Sequence, residues 1–291
     1  MAERFSRDSM SLGGILTAMV TPFDPRGRLD EDATVELIRH LLANGSDGLV
    51  LAGSTGEGAT MTDGEKVRLW ELGVAEAGDA PIIAGTGTYD TRHSVELTER
   101  AHEAGVDAML VVTPYYVRPN RRGIKAHYEA VAAATDRPIV AYNIPSRTAT
   151  DMPNDLLAEL AHIDNVVAVK QARYEDMAPI DGMDLLAGND DVLAKVMDMG
   201  GTGGICVASN LIGSEMRRIV DDPDNRHEIE DGLRDLYKAM TVTTNPIPVK
   251  TAMNMIGLDA GPLRLPLVEA SEEERAVIRE ALERHNLLAA V

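Results

Sequence analysis

Short apolar runs alternate with amphipathic stretches along most of this chain, and that alternation limits the fold more than any other feature. The runs fall at residues 15–20, 48–52, 82–85, 108–112, 139–142, 166–169, 185–187 and 205–208. Helical patterns separate them, for example at 31–43, 63–77, 91–104 and 122–134. Strands that alternate with helices imply right-handed βαβ units and a parallel sheet. A faint repeat agrees: helix, glycine, two residues, a small residue, then an apolar run. It occurs at Asn44-Gly45-Ser46-Asp47-Gly48, Ala104-Gly105-Val106-Asp107-Ala108 and Gly200-Gly201-Thr202-Gly203-Gly204. Each glycine stands where it would close the preceding helix. Eight βα units in roughly 220 residues predict a closed (β/α)8 TIM barrel. An open doubly wound sheet is the alternative.

From about Pro223 the pattern changes. Stretches 227–240, 249–255 and 272–287 read as helices with no strands between them. The expected organisation is a flexible tail at 1–11, a catalytic barrel at 12–222 and a C-terminal helical domain at 223–291. The joint is Asp221-Asp222-Pro223-Asp224, a turn-rich stretch. The first 11 residues are charged and polar and do not read as a secretory signal.

Composition narrows the function. No run approaches the roughly 18 apolar residues of a membrane span. A single cysteine, Cys206, leaves no internal disulfide and fits a reducing cytoplasm. The net charge of −19 argues against nucleic acid and anionic membranes as partners. An anionic substrate must then meet positive charge inside the site, because surface charge is screened within about 8 Å.

Lys170 ends the apolar run Val166-Val167-Ala168-Val169, in a chain with 6 lysines and 22 arginines. An ammonium entering an apolar site loses hydration and is driven toward the neutral amine. A neutral amine attacks carbonyl carbon, and a desolvated lysine is a Schiff-base former. In a barrel of this kind, function sits at the carboxyl ends of the strands. Gly53-Ser54-Thr55-Gly56-Glu57, Thr113-Pro114-Tyr115-Tyr116, Tyr142 with Asn143-Ile144-Pro145-Ser146-Arg147-Thr148, and Gly188-Asn189-Asp190-Asp191 follow the predicted strands. Taken singly, these are a tight turn, rim aromatics, a core tyrosine and a surface arginine. Taken together with Lys170, they make a carbonyl site.

These segments, with Asn245-Pro246-Ile247-Pro248-Val249-Lys250 and Leu263-Arg264-Leu265-Pro266, closely resemble the dihydrodipicolinate synthase family of class I aldolases. N-acetylneuraminate lyase and 2-keto-3-deoxygluconate aldolase share that family. The likeness runs from about Leu12 to Leu287. The resemblance implies condensation of pyruvate with aspartate 4-semialdehyde through an imine on Lys170. Tyr142 would shuttle protons through Ser54 to Tyr116, the last donated by a neighbouring subunit. Arg147 would bind the semialdehyde's carboxylate, and backbone groups at Thr55 and Ile205 would hold pyruvate and the site floor. A homotetramer, or at least a dimer, is implied.

Two departures stand out against the family pattern. Gln171 follows the lysine where glutamate is common, and Ser54 replaces the usual threonine. Serine keeps the hydroxyl but loses the methyl that restricts its rotamer. In lysine-inhibited relatives, a histidine, an asparagine and a glutamate bind the effector. The matching positions here are Lys66, Tyr89 and His93, so the acid for the effector's amine is missing. Insensitivity to lysine is therefore expected.

No cofactor and no metal is expected. Gly85-Thr86-Gly87 lacks the third glycine of a dinucleotide fingerprint, and the seven histidines fall mainly in predicted helices or joints. The competing readings are a sugar-acid aldolase with the same imine chemistry and a catalytically inactive ligand-binding barrel. A metal-dependent aldolase ranks below both.

Overall fold

The protein is described by a computed structural model for residues 12–288, so the tail expected at 1–11 lies outside the described residues. Eight strands close into a barrel in sequence order, every pair parallel. They are β1 (Ile15–Ala18), β2 (Gly48–Leu51), β3 (Ile82–Gly85), β4 (Ala108–Val112), β5 (Ile139–Asn143), β6 (Val166–Gln171), β7 (Asp184–Ala187) and β8 (Gly203–Cys206). Closure is made by β1 pairing with β8, Leu16 opposite Ile205. The open-sheet alternative is thereby excluded.

Outside the sheet run α1 (Glu31–Ala43), α2 (Asp63–Glu76), α3 (Thr91–Glu103), α4 (Arg121–Ala132), the single turn α5 (Pro145–Thr148), α6 (Asn154–Leu160), α7 (Leu193–Asp198) and α8 (Ser209–Asp221). Side-chain caps start α1 to α4. Asp30, Asp90 and Asn120 each accept from a first-turn N–H, and Thr62 with Glu65 forms a capping box on α2. Each cap satisfies a donor that the helix cannot satisfy internally. The repeat glycines Gly45, Gly105 and Gly200 take φ of 95°, 87° and 84°, the left-handed closure that glycine enters without strain.

Strand pleating divides the core in two. Val140 and Tyr142 of β5, Ala168 of β6, Leu186 of β7 and Ile205 of β8 point into the barrel. Ile139, Ala141, Val166 and Val169 belong to the larger layer between sheet and helices. Between Ile139 and Val140 the β5–β6 register shifts by one, with Val167 as the extra residue. After the shift Tyr142 lies opposite Lys170. A bulge of this kind re-aims every following side chain.

Two boundaries differ from the sequence expectation for identifiable reasons. β6 runs on to Gln171, so Lys170 lies within the strand. β8 begins at Gly203 and stops at Cys206, where 205–208 was expected. A Cβ on Gly203 would stand 2.0 Å from the Gly14 carbonyl oxygen, so only glycine can enter the ladder there. Val207 and Ala208 leave the ladder because their N–H groups donate to the Asp190 carboxylate at 2.8 and 2.9 Å.

Beyond α8 the chain forms α9 (Arg226–Gly232), α10 (Arg234–Ala239), α11 (Ile247–Met255) and α12 (Glu272–Arg284). The single helix expected at 227–240 is two, separated at Leu233. Gly232, the weakest helix former in that run, closes the first. Leu236, Val249, Met253, Ile278 and Leu282 are continuous with the apolar layer that covers the barrel.

His127 on α4 generates a stability prediction. It is 2% exposed, its Nδ1 pairs with the Thr91 hydroxyl at 2.9 Å, and its Nε2 has no partner. Burial pushes its pKa down to about 4 against an ordinary value of 6.5, with Asp90 opposing. The folded state therefore favours the neutral ring. Stability is complete above pH 6.5 and is lost as pH falls toward 4, where the unfolded chain binds the extra proton. Urea unfolding at pH 7 and pH 5 should show His127→Asn removing about 2 kcal/mol of the acid-induced loss. An unchanged difference between the two pH values would contradict the assignment.

Candidate active site

One cavity of about 530 Å³ opens at the carboxyl end of the barrel. Lys170, Tyr142, Ser54, Thr55 and Arg147 all line it, together with residues of α10 and of the α10–α11 connection such as Tyr237 and Asn245. Lys170 is 5% exposed, and its Nζ lies 4.3 Å from the centre of the Tyr142 ring. The ring face stabilises an ammonium without neutralising it. Alternation along β5 and β6 turns the neighbours Asn143 and Gln171 outward. There Asn143 Nδ2 donates to Gln171 Oε1 at 3.0 Å and to Asp151 at 2.9 Å. Gln171, the departure from the common glutamate, thus belongs to an outer amide network and does not line the cavity.

Asp190 also lines the cavity. Burial pushes its carboxyl up, while two backbone N–H groups and the Lys170 charge pull it down. Beside it the Tyr237 hydroxyl is buried with no hydrogen-bond partner. Burial first, and then Asp190, push that phenol far up.

Ser54 and Thr55 sit in a tight loop after β2, with left-handed residues at Ala52 and Glu57 (φ 55° and 54°). Glu57 N–H donates to Ser54 O at 3.2 Å, and Gly58 N–H to Gly53 O at 3.0 Å. The Thr55 hydroxyl accepts from Asn245 Nδ2 at 3.0 Å. Arg147 leaves α5 and donates to Asn245 O at 3.0 Å. Asn245 therefore ties Thr55 and Arg147 to one C-terminal segment. Sequence reasoning quoted Asn245 within a motif without giving it a task. Its amide became meaningful only once the chain had folded back over the mouth.

Tyr116 and Ile205 do not line this cavity. Ile205 is fully buried in the barrel interior, and Val207 occupies the rim in its place. Tyr116 is 89% exposed with φ 68°. Val117 N–H bonds Tyr115 O at 2.8 Å around it, the strained form of γ-turn. Ser54 and Tyr142 also border a second cavity of about 120 Å³ with Tyr115, Thr88 and Lys66. The Ser54 and Tyr142 hydroxyls make no hydrogen bond within the chain among the described residues.

Lys66 is 7% exposed, and burial pushes its pKa down while Asp63 opposes. His93 Nε2 pairs with Asp63 at 3.0 Å. Tyr89 stacks edge-on against Tyr115, ring centres 5.6 Å apart.

Residues 11–285 match the Dihydrodipicolinate synthetase family. The 4-hydroxy-tetrahydrodipicolinate synthase of Moorella thermoacetica is 43% identical over 96% of this chain and 100% of that protein. A dihydrodipicolinate synthase from Cyanidioschyzon merolae, solved with lysine bound, superposes with a TM-score of 0.92. It is 34% identical and covers 95% of this chain and 99% of its own. The chloride-inhibited enzyme from Acinetobacter baumannii, complexed with pyruvate, gives 0.92 at 32% identity, covering 96% and 100%. With a profile match across nearly its whole length and relatives of this similarity, the chain belongs to the Dihydrodipicolinate synthetase family.

Proposed function

We propose that this chain is a Schiff-base lyase that condenses pyruvate with L-aspartate 4-semialdehyde to 4-hydroxy-tetrahydrodipicolinate, in diaminopimelate and lysine biosynthesis. The observation that carries the reading is the Lys170 amine, sequestered at the head of the barrel against Tyr142 and sharing a cavity with Thr55 and Arg147.

The chemistry proceeds in balanced steps. The amine adds to C2 of pyruvate and expels water, giving an imine. Loss of a C3 proton gives an enamine. C3 attacks the aldehyde carbon, forming the carbon–carbon bond, and the aldehyde oxygen takes a proton. The substrate's own amino group then adds to the imine carbon and displaces Lys170, which closes the ring. Tyr142 lies beside the amine and suits the proton transfers, because a phenol in a hydrogen-bonded chain passes a proton without leaving a bare charge. Thr55 and backbone groups near Ile205 hold the pyruvate carboxylate and the site floor. Arg147, in a protein of net charge −19, supplies the local cation for the second carboxylate.

Self-association completes the proton path. Tyr116 stands out from its own barrel in a strained turn; Val117 beside it is exposed, and so is Tyr89, whose ring packs edge-on against Tyr115. An exposed aromatic group of this kind fits an interface. In this reading Tyr116 enters a neighbour's smaller cavity and joins the Ser54 and Tyr142 hydroxyls. The assembly is a homotetramer, at minimum a dimer. No helix among the described residues is long and apolar enough to cross a membrane, and a cytoplasmic location fits a single buried cysteine.

The sugar-acid reading is separated by assay. Pyruvate consumption with aspartate semialdehyde should exceed cleavage of 2-keto-3-deoxygluconate, and the reverse order would overturn the assignment. Tyr116→Phe should lower turnover by one to two orders of magnitude, roughly the lower range for a positioned proton transfer. Unchanged turnover would remove Tyr116 from the path. At the positions that would hold the effector stand Lys66, Tyr89 and His93, and Asp63, the acid that acts on Lys66, is already paired with His93 at 3.0 Å, so it is not a free partner for an effector's amine. Sub-millimolar free lysine should therefore leave the rate unchanged, and strong inhibition would contradict this.

A further inference from the structure

We infer that the buried ion pair of Glu57 and Lys250 is a positioning device, which sets the Ser54–Thr55 loop against the reacting amine from the C-terminal segment. Neither side chain lines the active-site cavity. Both are removed from water, at 0% and 1% exposure. Lys250 Nζ donates to Glu57 Oε1 at 2.9 Å, to Thr21 O at 2.9 Å and to Pro262 O at 2.7 Å. Glu57 Oε2 accepts the Arg264 backbone N–H at 2.9 Å. Besides each other, the ammonium and the carboxylate thus bind three backbone groups, Thr21 O in the loop after β1 and Pro262 O and Arg264 N–H in the segment after α11.

A buried pair of this kind is poor evidence of stability, since apolar residues of similar volume often serve as well. Its distinguishing property is direction. Three donors on one nitrogen and two oxygens on one carboxylate fix the relative placement of the segments that supply their partners. Glu57 closes the loop that begins at Gly53, and its N–H is bonded back to Ser54 O at 3.2 Å. Lys250 lies on α11, five residues after Asn245, whose amide donates to the Thr55 hydroxyl at 3.0 Å. The ion pair and the Asn245–Thr55 bond therefore join the same two segments at two points. Moving one would move the other, and with it the Thr55 hydroxyl, whose residue lines the same cavity as Lys170.

The inference rests on the reading that Thr55 holds the carboxylate of pyruvate. The experiment measures the pyruvate concentration that half-saturates borohydride trapping in the intact assembly. The proteins compared are wild type, Glu57→Gln/Lys250→Met, Thr55→Val and the triple variant. Circular dichroism and sedimentation verify fold and assembly in each. The double variant should raise half-saturation about tenfold, in the range a sub-ångström misplacement produces. In the Thr55→Val background the same double change should add nothing further. A folded double variant with wild-type half-saturation, or full additivity with Thr55→Val, overturns the inference. Should the double variant fail to fold, Glu57→Asp keeps both charges and withdraws the carboxylate by one methylene. It should raise half-saturation by a smaller factor, and an unchanged value overturns the inference. Absence of trapping in the wild type would instead refute the imine reading beneath it.

Discussion

Closure of the sheet is the constraint on which the rest of the molecule depends. Because β1 pairs with both β2 and β8, no strand has a free edge and all eight carboxyl ends share one rim. The pleat then decides which side chains reach that rim. On β5 and β6 it turns Tyr142 and Lys170 inward and Asn143 and Gln171 outward. A single-residue register shift at Val167 brings the two inward groups opposite each other. Barrel geometry thus delivers a phenol and an amine to the same depth. No loop has to hold them, and rigid elements keep a site more exact than loops do.

Three buried lysines show three ways of tolerating an ammonium away from water. Lys250 donates to a carboxylate and two carbonyls, and burial still pushes its pKa down against the opposing charge of Glu57. Lys66 has the nearby charge of Asp63, which opposes the effect of burial. Lys170 has the face of Tyr142 and the more distant Asp190. Of the three, Lys170 is the one that lines the larger cavity at the barrel mouth, where a carbonyl compound has access to it. The different surroundings, more than the residue type, separate a structural lysine from a nucleophile.

Much of this was legible in the chain. The eight apolar runs mark the eight strands within a few residues, and the repeat glycines mark helix ends because only glycine enters that conformation freely. Of the strand-end residues singled out in the sequence, Ser54, Thr55, Tyr142, Arg147 and Lys170 line one cavity, while Tyr116 and Ile205 do not. The rest depended on contacts that periodicity does not encode. The register shift at Val167 leaves no trace in the unbroken apolar run Val166-Val167-Ala168-Val169. The Glu57–Lys250 pair joins positions nearly 200 residues apart, and each reads alone as part of a motif. Asp190 reads as one acid in a turn until its two backbone donors show why β8 ends where it does. Tyr116 looks like a site residue in sequence, yet it is 89% exposed and lines neither cavity of its own barrel.

The most direct measurement of the central claim is peptide mapping after borohydride reduction in the presence of pyruvate. The account predicts a single reduced adduct on the peptide that carries Lys170, and its loss in Lys170→Ala. An adduct on Lys66 or Lys250, or no adduct in a folded and assembled protein, would contradict it.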